Sequence, residues 1–147
     1  IQMQFSLLTK PSLADQTIKN ICNANNIEYL AYSPLALGIL TVSPNKSPKP
    51  RTFLRKKLFQ NILPKTIELR TLLNNIGKKY SASQAQVALN WVRSSGAKPL
   101  VGIRNPLQAK DAISALNWSL TKREKERLDF HRKNCLTNMP QNPFSSP

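Results

Sequence analysis

The stretch that decides the fold is AYSPLALGILT, residues 31–41. It continues from Ile27–Ala31, a short run of branched and aromatic residues that predicts a β-strand. The Ser33-Pro34 pair ends this strand, because proline cannot donate a hydrogen bond to a central ladder. The apolar run from Leu35 to Val42 is far too short to span a bilayer. The stretch therefore predicts a buried strand that ends in a loop.

Strands and helices alternate on both sides of this stretch. Ile1–Leu8 alternates apolar with polar residues and predicts a strand, and Lys98–Ile103 is a third short apolar strand. Helical periodicity and capping pairs predict five helices: from Ser12, over Ile67–Ile76, from Ser83 to Gly96, over Pro106–Leu116, and from Thr121 to His131. Residues 36–64 predict a long loop, because three prolines between positions 44 and 50 break any regular element.

This alternation predicts an α/β fold with parallel strands joined by helical crossovers. Three parallel strands alone would leave two unpaired edges, whereas a closed ring of eight strands has none. The first strand begins abruptly at Ile1. The architecture is therefore expected to be incomplete, with further strands upstream.

The most prominent compositional feature is a net charge of +15 over 147 residues. Seven basic and no acidic residues lie between Pro44 and Lys65. No interleaved aromatic residues, zinc-ligand spacing or recognition helix accompanies them, so the pattern does not favour a nucleic-acid partner. A basic loop near a phosphate-bearing cofactor fits at least as well, and the run Arg55-Lys56-Lys57 is interpreted as a solvated loop. Cys22 and Cys135 are expected to be reduced thiols in a cytoplasmic protein without a membrane segment.

The sequence contains none of the common glycine-rich or catalytic motifs. GxGxxG, the P-loop, HExxH and GxSxG are all absent, and no metal-ligand spacing is present. The chain has only four glycines, which excludes a phosphate loop of the usual glycine-rich kind. Any nucleotide site must use another arrangement.

Several segments, in family-like order and spacing, resemble the aldo-keto reductases. Residues 31–41 resemble the strand-seven signature of that family, and residues 99–112 resemble its strand-eight cofactor segment. Residues 84–91 resemble the helix between these strands, residues 2–6 resemble strand six, and Leu120-Thr121 with the charged helix that follows resembles the closing helix. The resemblance implies the last three strand–helix units of a (β/α)8 TIM barrel plus a C-terminal helix, over residues 1–135. A loosely ordered tail is expected at 136–147.

The same resemblance implies an NADP-binding role for ten positions. Gln2 would hold the nicotinamide carboxamide, and Tyr32 would stack on the nicotinamide ring. The remaining assignments are Ser33, Leu35 and Gly38 to the pyrophosphate, Gly102 and Arg104 to the adenosine ribose and its 2′-phosphate, Gln108 and Asp111 to the adenosine end, and Arg51 to a loop that folds over the cofactor. Three of these residues have plain structural alternatives: Tyr32 as a barrel residue at a strand end, Gln2 as a polar terminus and Arg104 as a solvated turn residue.

The chain departs from the family pattern at two places. Val42-Ser43 replaces the usual Gly-Lys, which removes a lysine that could grip the pyrophosphate, and Ala112 replaces an asparagine that contacts adenine. Each loss is expected to weaken the site by roughly 0.5–1.5 kcal/mol. The catalytic Asp, Tyr, Lys and His of the family come from earlier strands, and no residue here matches them.

The expected function is therefore the C-terminal portion of an NADPH-dependent reductase of small carbonyl compounds, without catalytic residues of its own. Its expected partners are NADPH, the substrate and the missing N-terminal half of the barrel. Two alternatives stay open: a non-catalytic or degenerate pseudoenzyme, and a basic nucleic-acid-binding module.

Overall fold

The computed structural model of the protein describes residues 1–46, 48 and 53–139, with only the backbone of Ala14 and Leu54. Its strands are β1 (Gln2–Gln4), β2 (Leu30–Tyr32) and β3 (Lys98–Leu100). Its α-helices are α1 (Leu13–Ala24), α2 (Phe53–Ile62), α3 (Ile67–Lys79), α4 (Gln84–Ser94), α5 (Pro106–Ser114) and α6 (Lys122–Arg132). Short 3-10 helices cover Ala36–Thr41, Pro64–Thr66, Ala115–Asn117 and Lys133–Cys135.

The three strands form a parallel sheet in the order β1-β2-β3, as the alternation of elements predicted. Tyr32 of β2 is in register with Gln4 of β1 and with Leu100 of β3. Ala31, the central residue of β2, is completely buried. Since side chains alternate between the two faces of a sheet, Tyr32 and Leu30 lie on the face opposite Ala31. Gln2, in register with Leu30, shares that face.

The strands are shorter than the sequence pattern predicted. The predicted strand Ile1–Leu8 ends at Gln4. The chain turns after it, where Thr9 N–H donates to the Ser6 carbonyl at 3.2 Å and Leu8 N–H donates to Ser6 Oγ at 3.2 Å. Leu7 and Leu8 are nevertheless fully buried. Because buried residues of the turn continue the apolar alternation, the sequence pattern predicted a strand that is longer than β1.

The prediction that residues 36–64 form a loop was wrong for two segments. Ala36–Thr41 is a 3-10 helix and α2 is a regular helix. Phe59 and Ile62 are buried and Leu58 is half-buried, whereas Lys56 and Lys57 are exposed. This is an amphipathic helix whose apolar face is concealed in the sequence by the run of basic residues.

Side-chain caps begin α1, α4 and α6, as the sequence predicted. The Ser12–Asp15 and Thr121–Glu124 pairs form complete capping boxes. Ser83 Oγ accepts from Gln86 N–H at 3.1 Å, but the Gln86 side chain bonds to other groups instead of returning to the cap. The helices cover one face of the sheet and share a core that includes Leu69, Leu73, Val87, Trp91 and Leu128.

Helices α1 and α5 each carry a strongly exposed apolar side chain. Leu13 of α1 is 87% exposed, and Leu107 of α5 is 78% exposed. Helix α5 has no buried residue. The predicted boundary at residue 135 stays a prediction, although Thr137 forms a β-bridge with Thr9 and Met139 is buried. Among the described residues, no helix has both the length and the apolar character needed to cross a membrane.

Candidate functional site

An open groove of about 1630 Å³ lies at the carboxyl ends of β2 and β3. Parallel strands end at a common edge of their sheet, so the segments that follow them meet there. One wall is the chain after β2, from Ser33 to Val42, and another is the chain after β3, through Arg104. Residues 82–85 at the start of α4, Arg55 and Phe59 of α2, and Gln108, Asp111 and Ala112 of α5 also line the groove.

The wall after β2 is a tightly wound segment with left-handed backbone. Ser33, Ala36, Leu37 and Gly38 have φ values of 53°, 50°, 56° and 92°. Ala36 N–H donates to the Ser33 carbonyl and Gly38 N–H to the Leu35 carbonyl, both at 2.9 Å. Only at Gly38 is this conformation free of the cost that a Cβ atom imposes. The segment therefore follows β2 in a shape that brings its backbone to the groove.

Arg70 of α3 fixes the far end of this segment. Its guanidinium is buried and donates to the carbonyls of Val42, Ser43 and Leu63 and to Thr66 Oγ1, each at 3.1 Å. Burial lowers the pKa of Arg70. In the described part of the chain, no carboxylate accepts a hydrogen bond or ion pair from it. A buried cation held by carbonyl oxygens positions residues 42–43, where the family lysine is missing.

Arg55 of α2 reaches across the groove to the same segment. Its Nη2 group donates to the Leu37 carbonyl, and its guanidinium lies 5.4 Å from the centre of the Phe59 ring. A Cβ atom added to Gly38 would come within 3.3 Å of Arg55 Nη2. Arg55 is half-buried. Its interpretation as part of a solvated loop was therefore wrong, whereas Lys56 and Lys57 are exposed as expected.

The wall after β3 is ordered by local hydrogen bonds. Asn105 caps α5 by accepting from Gln108 N–H at 2.9 Å, and Gln108 Oε1 accepts from Arg104 N–H at 2.9 Å. The Arg104 side chain is exposed. A Cβ atom at Gly102 would have no neighbour within 4 Å. The turn thus presents a cationic side chain beside an open stretch of backbone.

Asp111 joins the two helices that flank the groove. Its Oδ2 accepts from Ser83 Oγ and its Oδ1 accepts from Gln86 Nε2, both at 2.7 Å. Gln86 Oε1 in turn accepts from Trp118 Nε1 at 3.0 Å. Both carboxylate oxygens of Asp111 therefore hold α4 against α5, and any contact with a ligand adds to this structural role.

The groove brings together seven of the ten positions assigned from the sequence: Ser33, Leu35, Gly38, Gly102, Arg104, Gln108 and Asp111. Tyr32 and Gln2 are not among its lining residues. They lie on one face of adjacent strands, two register positions apart. Arg51 lies outside the described residues. All ten assignments to cofactor contacts stay predictions.

Sequence reasoning missed Arg55, Phe59 and Gln84, which also line the groove. Arg55 and Phe59 are four residues apart, a spacing that places them on one side of a helix. This spacing was the available signal, but it has meaning only once α2 is recognised as a helix. Gln84 Nε2 donates to the Arg70 carbonyl at 3.1 Å, a contact between distant segments that no local pattern indicates.

The charged residues that line the groove are Arg55, Arg104 and Asp111. Two arginines against one carboxylate leave the lining with a net positive charge. Within the described ranges, no group of three His, Cys, Asp or Glu side chains could hold a metal ion. The arrangement suits an elongated anionic ligand better than a metal-dependent reaction centre.

Fold and groove together define the class: an α/β unit from a parallel barrel, with an anion-favouring groove at the carboxyl ends of its strands. The sequence profile of the Aldo/keto reductase family matches residues 1–133. The chain is 38% identical to the chloroplastic pyridoxal reductase of Arabidopsis thaliana over 145 residues, 99% of this chain and 39% of that protein. It is 28% identical to the NADPH-dependent alpha-keto amide reductase of Saccharomyces cerevisiae, across 86% of this chain and 34% of that protein.

The chain belongs to the aldo-keto reductase family. Its fold matches the structure of a glycerol dehydrogenase from Gluconobacter oxydans with a TM-score of 0.76 at 24% identity, covering 100% of this chain and 46% of the other. The three-stranded sheet is therefore the C-terminal part of a family barrel, as the sequence predicted. The chain spans about two fifths or less of the length of these curated relatives.

Proposed function

We propose that this chain is the C-terminal portion of an NADPH-dependent carbonyl reductase and supplies the cofactor's phosphate and adenosine contacts. The observation that carries this proposal is the convergence of seven predicted positions on one groove. Three come from the turn after β2, and four come from the turn and helix α5 that follow β3, about 65 residues further along the sequence. A shared groove at the ends of adjacent parallel strands is the arrangement that a dinucleotide requires if its two ends are bound by different turns.

NADPH is favoured over NADH by the charge of the groove. Arg104 extends from the turn assigned to the adenosine ribose, where a guanidinium can accommodate a 2′-phosphate. The name of the yeast relative also specifies NADPH. Tyr32 would stack on the nicotinamide ring and Gln2 would hold its carboxamide, from the sheet face that a complete barrel encloses.

The same proposal includes the N-terminal part of the barrel as partner. Leu107, Ile113 and Leu116, on α5 and the turn that follows, are each more than 60% exposed, as is Leu13 of α1. Exposed apolar side chains on surface helices are what an open barrel segment presents to missing neighbours. The catalytic Asp, Tyr, Lys and His would come from that part, because no residue of this chain matches them.

The direct test is a fluorescence titration of the purified chain with NADPH, followed by NADH. We expect saturable binding of NADPH that is tighter than binding of NADH, and no turnover of pyridoxal or other small aldehydes. The missing part of the Arabidopsis thaliana pyridoxal reductase, added as a separate chain, is then expected to restore reduction. A chain that binds neither dinucleotide would refute the proposed function.

The two alternatives predict different outcomes in the same assays. A pseudoenzyme binds NADPH but remains inactive when the complementary part, shown to associate, is present. A nucleic-acid-binding module binds polyphosphate or RNA with a steep salt dependence, which decreases when the exposed Lys56 and Lys57 are replaced by glutamine. NADPH would not displace that polymer.

We place the protein in a reducing compartment, the cytoplasm. Cys22 and Cys135 are both buried and unbridged, as expected for thiols that stay reduced. The name of the Arabidopsis thaliana relative is chloroplastic, so plastids are the competing location. A fluorescent fusion of the complete gene distinguishes the two compartments.

A further inference from the structure

Arg55 is a partly buried cation without an acidic partner in the described part of the chain. It donates one hydrogen bond to the Leu37 carbonyl, and its guanidinium lies over the Phe59 ring. A guanidinium carries several N–H donors in a planar fork, so most of its hydrogen-bonding capacity is unused. The ring and the carbonyl fix its plane. The half-buried guanidinium is therefore held at the groove with N–H donors available to an anion.

The surroundings of Arg55 identify the kind of anion. The guanidinium lies beside Gly38, where a Cβ atom would be only 3.3 Å away. The segment from Ser33 to Gly38 carries a hydroxyl group and closely wound backbone at the edge of the groove. A hydroxyl, glycine backbone and a planar fork together match the oxygen atoms of a phosphate group.

The second groove arginine is on the opposite wall. Arg104 follows β3, whereas Arg55 faces the turn after β2, and these strands are neighbours in the sheet. Two arginines on separate walls can serve two separate phosphate groups of one extended ligand. Among the described residues, Asp111 forms no ion pair with Arg55; its two oxygens accept hydrogen bonds from Ser83 and Gln86.

We propose that Arg55 of helix α2 binds the diphosphate bridge of the dinucleotide. It provides the positive charge that is lost where Val42-Ser43 replaces the Gly-Lys pair. This inference rests on the proposed function and assigns a residue to one part of the same ligand. Arg55 is then a binding residue common to NADPH and NADH, and Arg104 is the residue that distinguishes them.

The test compares Arg55→Gln, Arg104→Gln and a matched control, Lys57→Gln, in the purified chain. Lys57 is on the same helix, carries the same charge and is exposed. Charge-assisted hydrogen bonds to phosphate predict that Arg55→Gln weakens NADPH and NADH alike, by roughly 10-fold to 100-fold. Arg104→Gln should weaken NADPH selectively, and Lys57→Gln should change neither dissociation constant by more than about 2-fold.

Two further measurements separate binding from a structural effect. Inorganic pyrophosphate should compete with NADPH in the wild-type chain and in Lys57→Gln, but much less effectively in Arg55→Gln. Arg55→Lys keeps the charge but loses the planar fork, so it should recover part of the affinity without changing the circular dichroism spectrum.

The results distinguish the two levels of the argument. If the wild-type chain binds no dinucleotide, the proposed function fails and the inference fails with it. If the wild-type chain binds NADPH but Arg55→Gln binds it equally well, the inference alone is overturned. A loss confined to NADPH in Arg55→Gln would also overturn it, because Arg55 would then contact the 2′-phosphate. Equal losses for both dinucleotides, with reduced competition by pyrophosphate, would support it.

Discussion

The buried carboxylate of Glu124 is expected to make the stability of the groove depend on pH. Glu124 accepts from Lys79 Nζ at 2.7 Å, from Tyr80 Oη at 2.9 Å and from the backbone and hydroxyl of Thr121. Helix α3 ends at Lys79, and the chain reaches the groove-lining Ala82 only three residues later. Glu124 therefore holds the segment from which one wall of the groove begins.

The magnitude follows from the pKa of this group. Burial alone would raise the pKa of Glu124, but the hydrogen bonds from Lys79, Thr121 and Tyr80 outweigh it and lower the pKa from 4.5 to about 2. A shift of this size corresponds to about 3 kcal/mol at neutral pH, an upper value because the Lys79 side chain is 62% exposed. Since the folded pKa is depressed, the stabilisation is complete above pH 4.5 and is lost as the pH falls towards 2.

The assay is urea unfolding of the wild-type chain and Glu124→Gln at pH 7, 5 and 3. The difference in unfolding free energy is expected to be at most about 3 kcal/mol at pH 7 and to fall to less than half of its pH 7 value at pH 3. Glu126→Gln is the matched control, because Glu126 is an exposed residue of the same helix, and it should show little difference at any pH. An equal deficit for Glu124→Gln at pH 7 and pH 3 would refute the assignment of this stability to the ionised carboxylate.

Three further predictions concern packing and assembly. Gly77→Ala should lower the unfolding free energy by roughly 1–3 kcal/mol, because the new Cβ atom would lie 2.5 Å from the Ala82 carbonyl oxygen. Gly102→Ala is the control and should lower it far less, because a Cβ atom there has open space around it. Arg70→Met should lower the unfolding free energy by roughly 1–3 kcal/mol, because it removes one donor from each of three partly buried carbonyls that keep a second, neutral donor. Hydrogen exchange near residues 42–43 should become faster, with unchanged protection in α6 as the internal reference. Leu107→Gln should change the unfolding free energy of the chain by no more than about 0.5 kcal/mol, because Leu107 is exposed. It should weaken association with a complementary barrel segment, measured by analytical ultracentrifugation. Unaltered association would contradict the proposed docking surface.

The sheet and most helices could be predicted because their signals are local. Parallel strands followed from alternation with helices, and the caps at Ser12 and Thr121 are short patterns whose hydrogen bonds close within three residues. Helix α2 was missed for a physical reason. Its exposed side carries consecutive lysines, and its apolar side is recognisable only from the burial of Phe59 and Ile62.

The candidate site was predictable only where it consists of strand ends. The turns containing Gly38 and Gly102 follow β2 and β3 directly, so placing the strands also placed these residues. The roles of Arg55 and Arg70 depend on contacts with segments 18 and 28 residues away. No periodicity encodes such distances. The same limit explains Asp111, whose two bonds to α4 could not be inferred from its position on α5.

The proposed separation of cofactor binding from catalysis follows from the positions of functional residues on the strands of a parallel barrel. Contacts to the two ends of an extended dinucleotide can come from two neighbouring strands, and one contiguous segment of the sequence supplies both. Under this proposal, a proton donor and the residues that tune it would come from other strands of the barrel, so a single break in the chain would separate them from those contacts. We therefore expect such a segment to bind the cofactor without turnover. If adding the complementary strands restores turnover, the chain is a barrel portion and not a pseudoenzyme.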